Sequence, residues 1–251
     1  MKPFEIVAHR GVPEIYPENT IPAFERAIEL RADAVELDVR LTSDQVPVVF
    51  HYFYLDEITP ISGTIFEFTL DQLKKVEIRH RNGSQIAGIS TLTEVLETIG
   101  GRIGLEIEIK GPEPESSTII ANVLSKYKNL WETIEVTSYE PMLLTDIQQL
   151  CPGLATDLLF PRSESWMKLD VVTYTAIQRA RPAHARAVHL HPTQLTPETV
   201  EAIRKSGIEV HAWDVNDLSS LELVVNLGIP KICTDHLQQA LSFRQNWSER
   251  E

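Results

Sequence analysis

Four short stretches carry side chains that can do polar chemistry. They are His9-Arg10-Gly11, Glu36-Leu37-Asp38, His51, and Glu106-Ile107-Glu108-Ile109-Lys110. Glu36 and Asp38 are two residues apart in a β-branched run, so a strand puts both carboxylates on one face and Val35, Leu37 and Val39 on the other. The second run repeats the pattern, with Glu106, Glu108 and Lys110 opposite Leu105, Ile107 and Ile109. Acids directed into a protein interior are costly unless they are paired or bound to a cation. One reading is a structural salt-bridge layer. The other is a site for a hard divalent cation, Mg²⁺ or Ca²⁺, because four acids outnumber the one nearby Lys. Thiolate or multi-histidine zinc ligation is not expected from these segments. His9 and His51 each end a strand-like run, and two histidines beside an acidic cluster suit proton transfer near neutral pH. Arg10 can fork onto a phosphate or a carboxylate. Of the other histidines, His189 and His191 are the candidates for a pocket, and the rest read as surface or packing residues.

These groups need a scaffold, and the chain alternates strands with helices from end to end. Strands are expected at Glu5–Ala8, Ala34–Leu41, Val46–His51, Ile103–Ile109, Ile134–Ser138, Leu154–Leu159, Ala187–Leu190, Ile208–Trp213 and Lys231–Cys233. Thr91-Leu92-Thr93-Glu94 is a capping box opening a helix with Leu92, Val95, Leu96 and Ile99 on one stripe, stopped at Gly100-Gly101. Thr196-Pro197 opens another, ended by Gly207, and Asn216 or Asp217 caps a third, ended by Gly228. No linker or repeat interrupts the series, so residues 1–251 read as one domain with a (β/α)₈ barrel. Nine strands exceed the eight a barrel needs. Only Thr42-Ser43-Asp44-Gln45 separate the second and third, too few for a parallel crossover, so those two are expected to form a hairpin that brings His51 beside Glu36 and Asp38.

The chain has 251 residues, with 23 Lys+Arg against 36 Asp+Glu and a formal charge of −13, which argues against a nucleic-acid partner. No apolar run approaches a membrane span, and the start lacks the shape of a signal peptide. Cys151 and Cys233 are too few for a disulfide framework and read as buried thiols in a reducing cytoplasm. Oligomeric state is not legible.

In order and spacing, His9-Arg10-Gly11, Pro17-Glu18-Asn19-Thr20, Glu36-Leu37-Asp38-Val39 and Pro47-Val48-Val49-Phe50-His51 resemble the glycerophosphodiester phosphodiesterase family. Ser90-Thr91-Leu92 with Glu94, Glu108-Ile109-Lys110, Trp213-Asp214-Val215-Asn216 and Thr234-Asp235 extend the resemblance along nearly the whole chain. It implies a (β/α)₈ barrel, a divalent cation, and hydrolysis of glycerophosphodiesters to sn-glycerol 3-phosphate and an alcohol. It also implies that Glu36, Asp38 and Glu108 hold the metal, that His9 and His51 are the acid/base pair, and that Arg10 and Lys110 contact phosphate. Glu106 is read as a support behind the metal ligands. Trp213 would wall the pocket, and Glu18 and Asn19 would shape the loop into the first helix. Departures from the family pattern fall at Tyr52 (usually Asp), Glu57 (usually Arg), Asp214 (usually Thr) and Thr137-Ser138-Tyr139 (usually Ser-Ser-Phe). They leave two alternatives open: a related phosphodiesterase acting on lysophospholipids, and a non-catalytic barrel that binds a phosphorylated ligand.

Overall fold

The structure is a computed structural model describing residues 4–80 and 82–248. Its strands are β1 (Glu5–Ala8), β2 (Ala34–Leu41), β3 (Pro47–Val49), β4 (Glu77–Arg79), β5 (Ile86–Gly88), β6 (Gly104–Ile109), β7 (Ile134–Ser138), β8 (Ala155–Leu159), β9 (Ala187–Leu190), β10 (Glu209–Ala212) and β11 (Lys231–Thr234). Between and after them run α1 (Ile21–Glu29), α2 (Leu70–Leu73), α3 (Leu92–Ile99), α4 (Glu115–Leu124), α5 (Pro141–Leu150), α6 (Leu169–Ala180), α7 (Pro197–Lys205), α8 (Leu218–Asn226) and α9 (Leu237–Ser248). Strands β1, β2, β6, β7, β8, β9, β10 and β11 pair in parallel around a circle that closes between β1 and β11. This is the (β/α)₈ barrel.

The expected hairpin is present. β3 runs antiparallel to β2, with Val39 opposite Val49 and Leu41 opposite Pro47. The register explains how β2 accommodates it. Along β2, β1 pairs only with Ala34 and Val35, so the C-terminal half of β2 projects beyond β1 and offers β3 a free edge. Phe50 N–H donates to the Asp38 carbonyl at 2.9 Å, which brings the chain at His51 back over the acidic strand. The β4–β5 hairpin was not expected from the sequence; its pattern is short and its outer residues are exposed. It belongs to the insert between β3 and α3. There Val48, Phe50, Leu55, Ile65, Leu73, Val76, Ile78 and Ile89 form an apolar cluster separate from the main core.

Three helix starts follow their sequence signals. Thr91 and Glu94 make the reciprocal capping box of α3, Thr196 caps α7, and Asp217 rather than Asn216 caps α8. All eight residues of β2 are buried, so its outward Val35, Leu37 and Val39 pack under helices while Glu36 and Asp38 point along the axis. Phe24 of α1 is fully buried in the same core. Phe24→Ala is expected to cost about 3–5 kcal/mol. Urea denaturation checks this through a lower midpoint at an unchanged slope.

Candidate active site

The site lies at the C-terminal mouth of the barrel, where strand ends meet the βα loops. Parallel pairing sets Glu36 beside Glu106 and Asp38 beside Glu108. Glu36, Asp38 and Glu108 are all buried, and one oxygen of each lies within 4.8 Å of the others. Glu36 Oε1, Asp38 Oδ1 and Glu108 Oε1 have no hydrogen bond. The latter two have the Lys110 ammonium as counter-charge, at 3.3 and 2.7 Å. Burial, then repulsion from Asp38 and Glu108, pushes the Glu36 carboxyl far above its usual range. Burial and Asp38 also raise the Glu108 carboxyl, against the pull of Lys110. Burial also acts on Asp38, but Lys110 and Arg10 outweigh it and hold that carboxyl low.

The loop after β1 is built around these acids. Arg10 is in the left-handed region (φ 54°), which aims its backbone N–H at Glu36 Oε2, 3.0 Å away. Its guanidinium meets Glu18 at 2.7 Å and Asp38 at 3.2 Å. Gly11 follows at φ 87°, and a Cβ there would fall 2.7–2.8 Å from Ala23 of α1, so only glycine lets the loop lie this close to the helix. The fully buried Asn19 brackets Asp38: its amide donates to Oδ2 at 2.7 Å, and its carbonyl accepts from the Asp38 N–H at 3.0 Å. Asn19 and Glu18 therefore touch the site itself, where the sequence reading gave them a loop-shaping part. Spacing alone could not show this, because the contacts depend on how the loop curls back over β2.

His9 stands at the end of β1, with Nε2 3.8 Å from Glu36 and Nδ1 2.7 Å from Asp235 Oδ1. Burial pushes the Asp235 carboxyl up, but the hydrogen bond and charge of His9, with the Asn216 amide at 2.8 Å, outweigh it and hold it at about 2. An ionised carboxylate can only accept, so Nδ1 carries the proton and Nε2 is the nitrogen turned to the acids. Asp235 was read only as part of a matching dipeptide; its place directly after a barrel strand was the available signal. Asp214, at φ 56°, joins His9 and Asp235, again with one ligand atom of each within 4.8 Å.

His51 packs edge-on against Tyr52, its Nδ1 buried without a hydrogen bond. Burial drives its pKa down to about 3 against the pull of Asp38. Its carbonyl accepts from Arg40 Nε at 2.7 Å, and Arg40 also donates to the Gly111 carbonyl at 3.2 Å and lies 3.9 Å over the Phe53 ring. Arg40, on the same face of β2 as Glu36 and Asp38, is thus the side chain that holds the His51 loop, and its period-two spacing from those acids is the sequence signal that marks it. Tyr52 reaches Glu18 at 3.4 Å, which gives the loop a tie in place of the family's usual Asp.

Trp213 lies across the mouth, edge-on to Tyr139 at 6.5 Å and to His191 at 5.3 Å, with Nε1 donating to the Phe160 carbonyl. Glu106 does not join the three acids. Its partners are His189 at 3.5 Å and Lys231 at 3.9 Å, one level deeper in the barrel, because β9 and β11 supply side chains there. His189 is buried in that deeper layer and does not line the mouth; His211, expected at the surface or in packing, is buried beside it.

A model of the glycerophosphoryl diester phosphodiesterase family matches residues 9–239. The chain belongs to that family. It is 35% identical over 243 residues to a glycerophosphodiester phosphodiesterase of Caldanaerobacter subterraneus subsp. tengcongensis, covering 92% of this chain and 93% of the relative. Among solved structures it resembles an Oleispira antarctica phosphodiesterase in complex with the product sn-glycerol-3-phosphate (27% identity, TM-score 0.81, 95% of each chain). It also resembles a glycerophosphodiester phosphodiesterase of Thermotoga maritima (26% identity, TM-score 0.74, 96% of this chain and 98% of that one). This family member is therefore an enzyme of phosphodiester hydrolysis, which sets aside the non-catalytic alternative.

The Asp235–His9 pair carries a pH signature. The Asp235 pKa in the fold is about 2, below the unfolded value of about 3.9, so its stabilising contribution is complete above the unfolded value and lost as pH falls through the folded one. Asp235→Asn is expected to unfold at lower urea than the parent at pH 7, with the gap closing between about pH 4 and about pH 2. A gap that stays constant across that window would show that the pair is not ionised as described.

Proposed function

We propose that the protein is a divalent-metal-dependent phosphodiesterase that hydrolyses glycerophosphodiesters to sn-glycerol 3-phosphate and an alcohol. The observation that carries this reading is the convergence of Glu36, Asp38 and Glu108 with His9, His51, Arg10 and Lys110 at the barrel mouth, in a chain of this family. The product held by the Oleispira antarctica neighbour supports the choice of products. Three buried carboxylate oxygens without hydrogen bonds, all hard donors, fit Mg²⁺ or Ca²⁺. Glu36, Asp38 and Glu108 would hold the ion, which would supply Lewis-acid chemistry to the phosphodiester.

This chain's own residues do the rest. Arg10 and Lys110 offset the negative charge that grows at phosphorus. Their partners Glu18, Asp38 and Glu108 keep both cations at the mouth. His9 and His51 divide the two proton transfers: one takes the proton of the attacking hydroxyl or water, and the other protonates the leaving alkoxide. Asp235 orients His9 by fixing its tautomer. Trp213 and Tyr139 wall one side of the substrate. On the His9 side a cavity of about 460 Å³, lined by Tyr16, Glu18, His80 and His236 among others, has room for the alcohol. Trapping a cyclic phosphate during turnover distinguishes attack by the neighbouring glycerol hydroxyl from attack by water. Residues 1–251 are read as one catalytic unit, and the unpaired, buried Cys151 and Cys233 suit a reducing cytoplasm. Among the described residues no helix is long and apolar enough to cross a membrane.

A second reading rests on the insert after His51. Phe53, Tyr54, Ile61 and Phe66 are exposed there, and Phe53 is linked to the His51 loop through Arg40. Such a rim suits an acyl chain, and lysophospholipid turnover exceeding that of glycerophosphocholine would favour it.

The deciding assay follows alcohol and glycerol 3-phosphate release from glycerophosphocholine and glycerophosphoethanolamine with Mg²⁺, with Ca²⁺ and with EDTA. Release is expected only with a cation, and His9→Ala and His51→Ala are each expected to lower kcat/KM by about 10²–10⁴-fold. Glu108→Gln should need far more cation for any rate. Release that persists in EDTA would refute the metal dependence, and an unaffected His9→Ala would remove that residue from the proton transfers.

A further inference from the structure

Below the catalytic carboxylates the barrel holds a second polar group that phosphodiester hydrolysis does not use. Asp157 of β8, His189 of β9 and His211 of β10 come from three adjacent strands, and all three are buried. Their inward atoms form a triangle. Asp157 Oδ2 lies 3.2 Å from His189 Nε2 and 3.5 Å from His211 Nδ1, and the two imidazole nitrogens are 3.1 Å apart. Ligands held ~2.0–2.1 Å from a tetrahedral zinc ion stand about 3.4 Å from one another, which these edges bracket.

The far side of each ring fits the same geometry. His189 Nδ1 faces Glu106 Oε1 at 3.5 Å, and His211 Nε2 faces Glu209 Oε2 at 3.4 Å. Metal-bound imidazoles turn their other nitrogen to a carboxylate in this way, which sets the tautomer and raises ligand basicity. Arg186 forks onto Asp157 (Nε to Oδ1 3.1 Å, a terminal nitrogen to Oδ2 2.6 Å), and the Ala187 N–H donates to Oδ1. Those bonds fix the carboxylate and turn the other lone-pair direction of Oδ2 to the two histidines, where an ion would sit. In charge, Glu135 and Asp157, with Glu209 at the rim, stand against Arg186 and Lys231, while burial and the neighbouring Glu135 push the Glu106 carboxyl well up. A cavity of about 630 Å³ at the N-terminal end of the barrel is lined by Glu135, Arg186, Glu209, His211 and Lys231 among others, and it gives an ion a route in.

We propose that Asp157, His189 and His211 bind a divalent transition-metal ion in a structural site that ties β8, β9 and β10 together, distinct from the carboxylate site at the mouth. Two imidazoles and one carboxylate select zinc-like ions over Mg²⁺ or Ca²⁺.

The test uses the untagged full chain, stripped with EDTA and dialysed. Zn²⁺ binding is followed by calorimetry and Co²⁺ binding by visible absorption. Glu36→Gln/Glu108→Gln/His9→Ala removes both the carboxylate group and the His9–Asp214–Asp235 group at the mouth and serves as the background. That protein is expected to bind one equivalent of Zn²⁺, to show the d–d absorption of four-coordinate Co²⁺, and to gain Tm on Zn²⁺ addition. Adding His211→Gln or Asp157→Asn, with far-UV circular dichroism unchanged, should abolish all three. Should either variant fail to fold, the background protein alone still decides through its Zn²⁺ stoichiometry and Tm. No Zn²⁺ equivalent in the background protein overturns the proposal and leaves the triangle held by a proton on His211. A Co²⁺ spectrum unaltered by His211→Gln overturns it as well.

Discussion

The barrel interior has to hold more negative charge than its own cations neutralise, and at the mouth this concerns three carboxylates buried side by side. Glu36, Asp38 and Glu108 sit where two parallel strands in fixed register present alternate residues to the axis. Their mutual repulsion in a desolvated place drives Glu36 and Glu108 towards the protonated form, while Lys110 and Arg10 keep Asp38 ionised. The surrounding loops answer this electrostatic problem. The left-handed turn at Arg10 and the buried Asn19 amide each bring a donor to one of these acids, and the glycine pressed on Ala23 lets the loop lie against α1.

Depth along the axis separates two kinds of polar chemistry. At the mouth, Glu36 Oε1, Asp38 Oδ1 and Glu108 Oε1 remain without hydrogen bonds beneath the βα loops. One level down, Glu135 is bound by Lys231 and Arg186, and Asp157 by Arg186 and the two histidines. Strand alternation produces both levels, because the face of β6 that sends Glu108 to the mouth sends Glu106 to the deeper layer. The two accounts read from sequence for the same acids separate by height: Glu106 joins the salt-bridge layer, and Glu36, Asp38 and Glu108 form the group proposed to hold a cation.

The extension of β2 past β1 is what makes His51 part of the mouth. With β1 ended at Ala8, β3 can add to the free edge, and the chain leaves it directly over Asp38. The insert that follows keeps its own apolar cluster, so its loop can differ from the family pattern at Tyr52 and Glu57 without disturbing the barrel core. Arg40 stabilises the junction by binding carbonyls on both sides of it.

The alternation of strands and capped helices, the short β2–β3 turn and the period-two acids were legible in the chain, since each is local: burial follows side-chain direction within one strand, and caps act within one turn. The residues of the mouth were legible for the same reason, as chemically unusual groups at strand ends. What only the tertiary structure decided was which partner each polar group met. Asn19 and Asp38, His9 and Asp235, or Arg40 and the His51 carbonyl are brought together by loop curvature and barrel closure, which no spacing encodes. Glu106 and Glu108 look equivalent in sequence, yet they end in different layers, because the inward neighbours of a barrel strand come from strands far away in the chain.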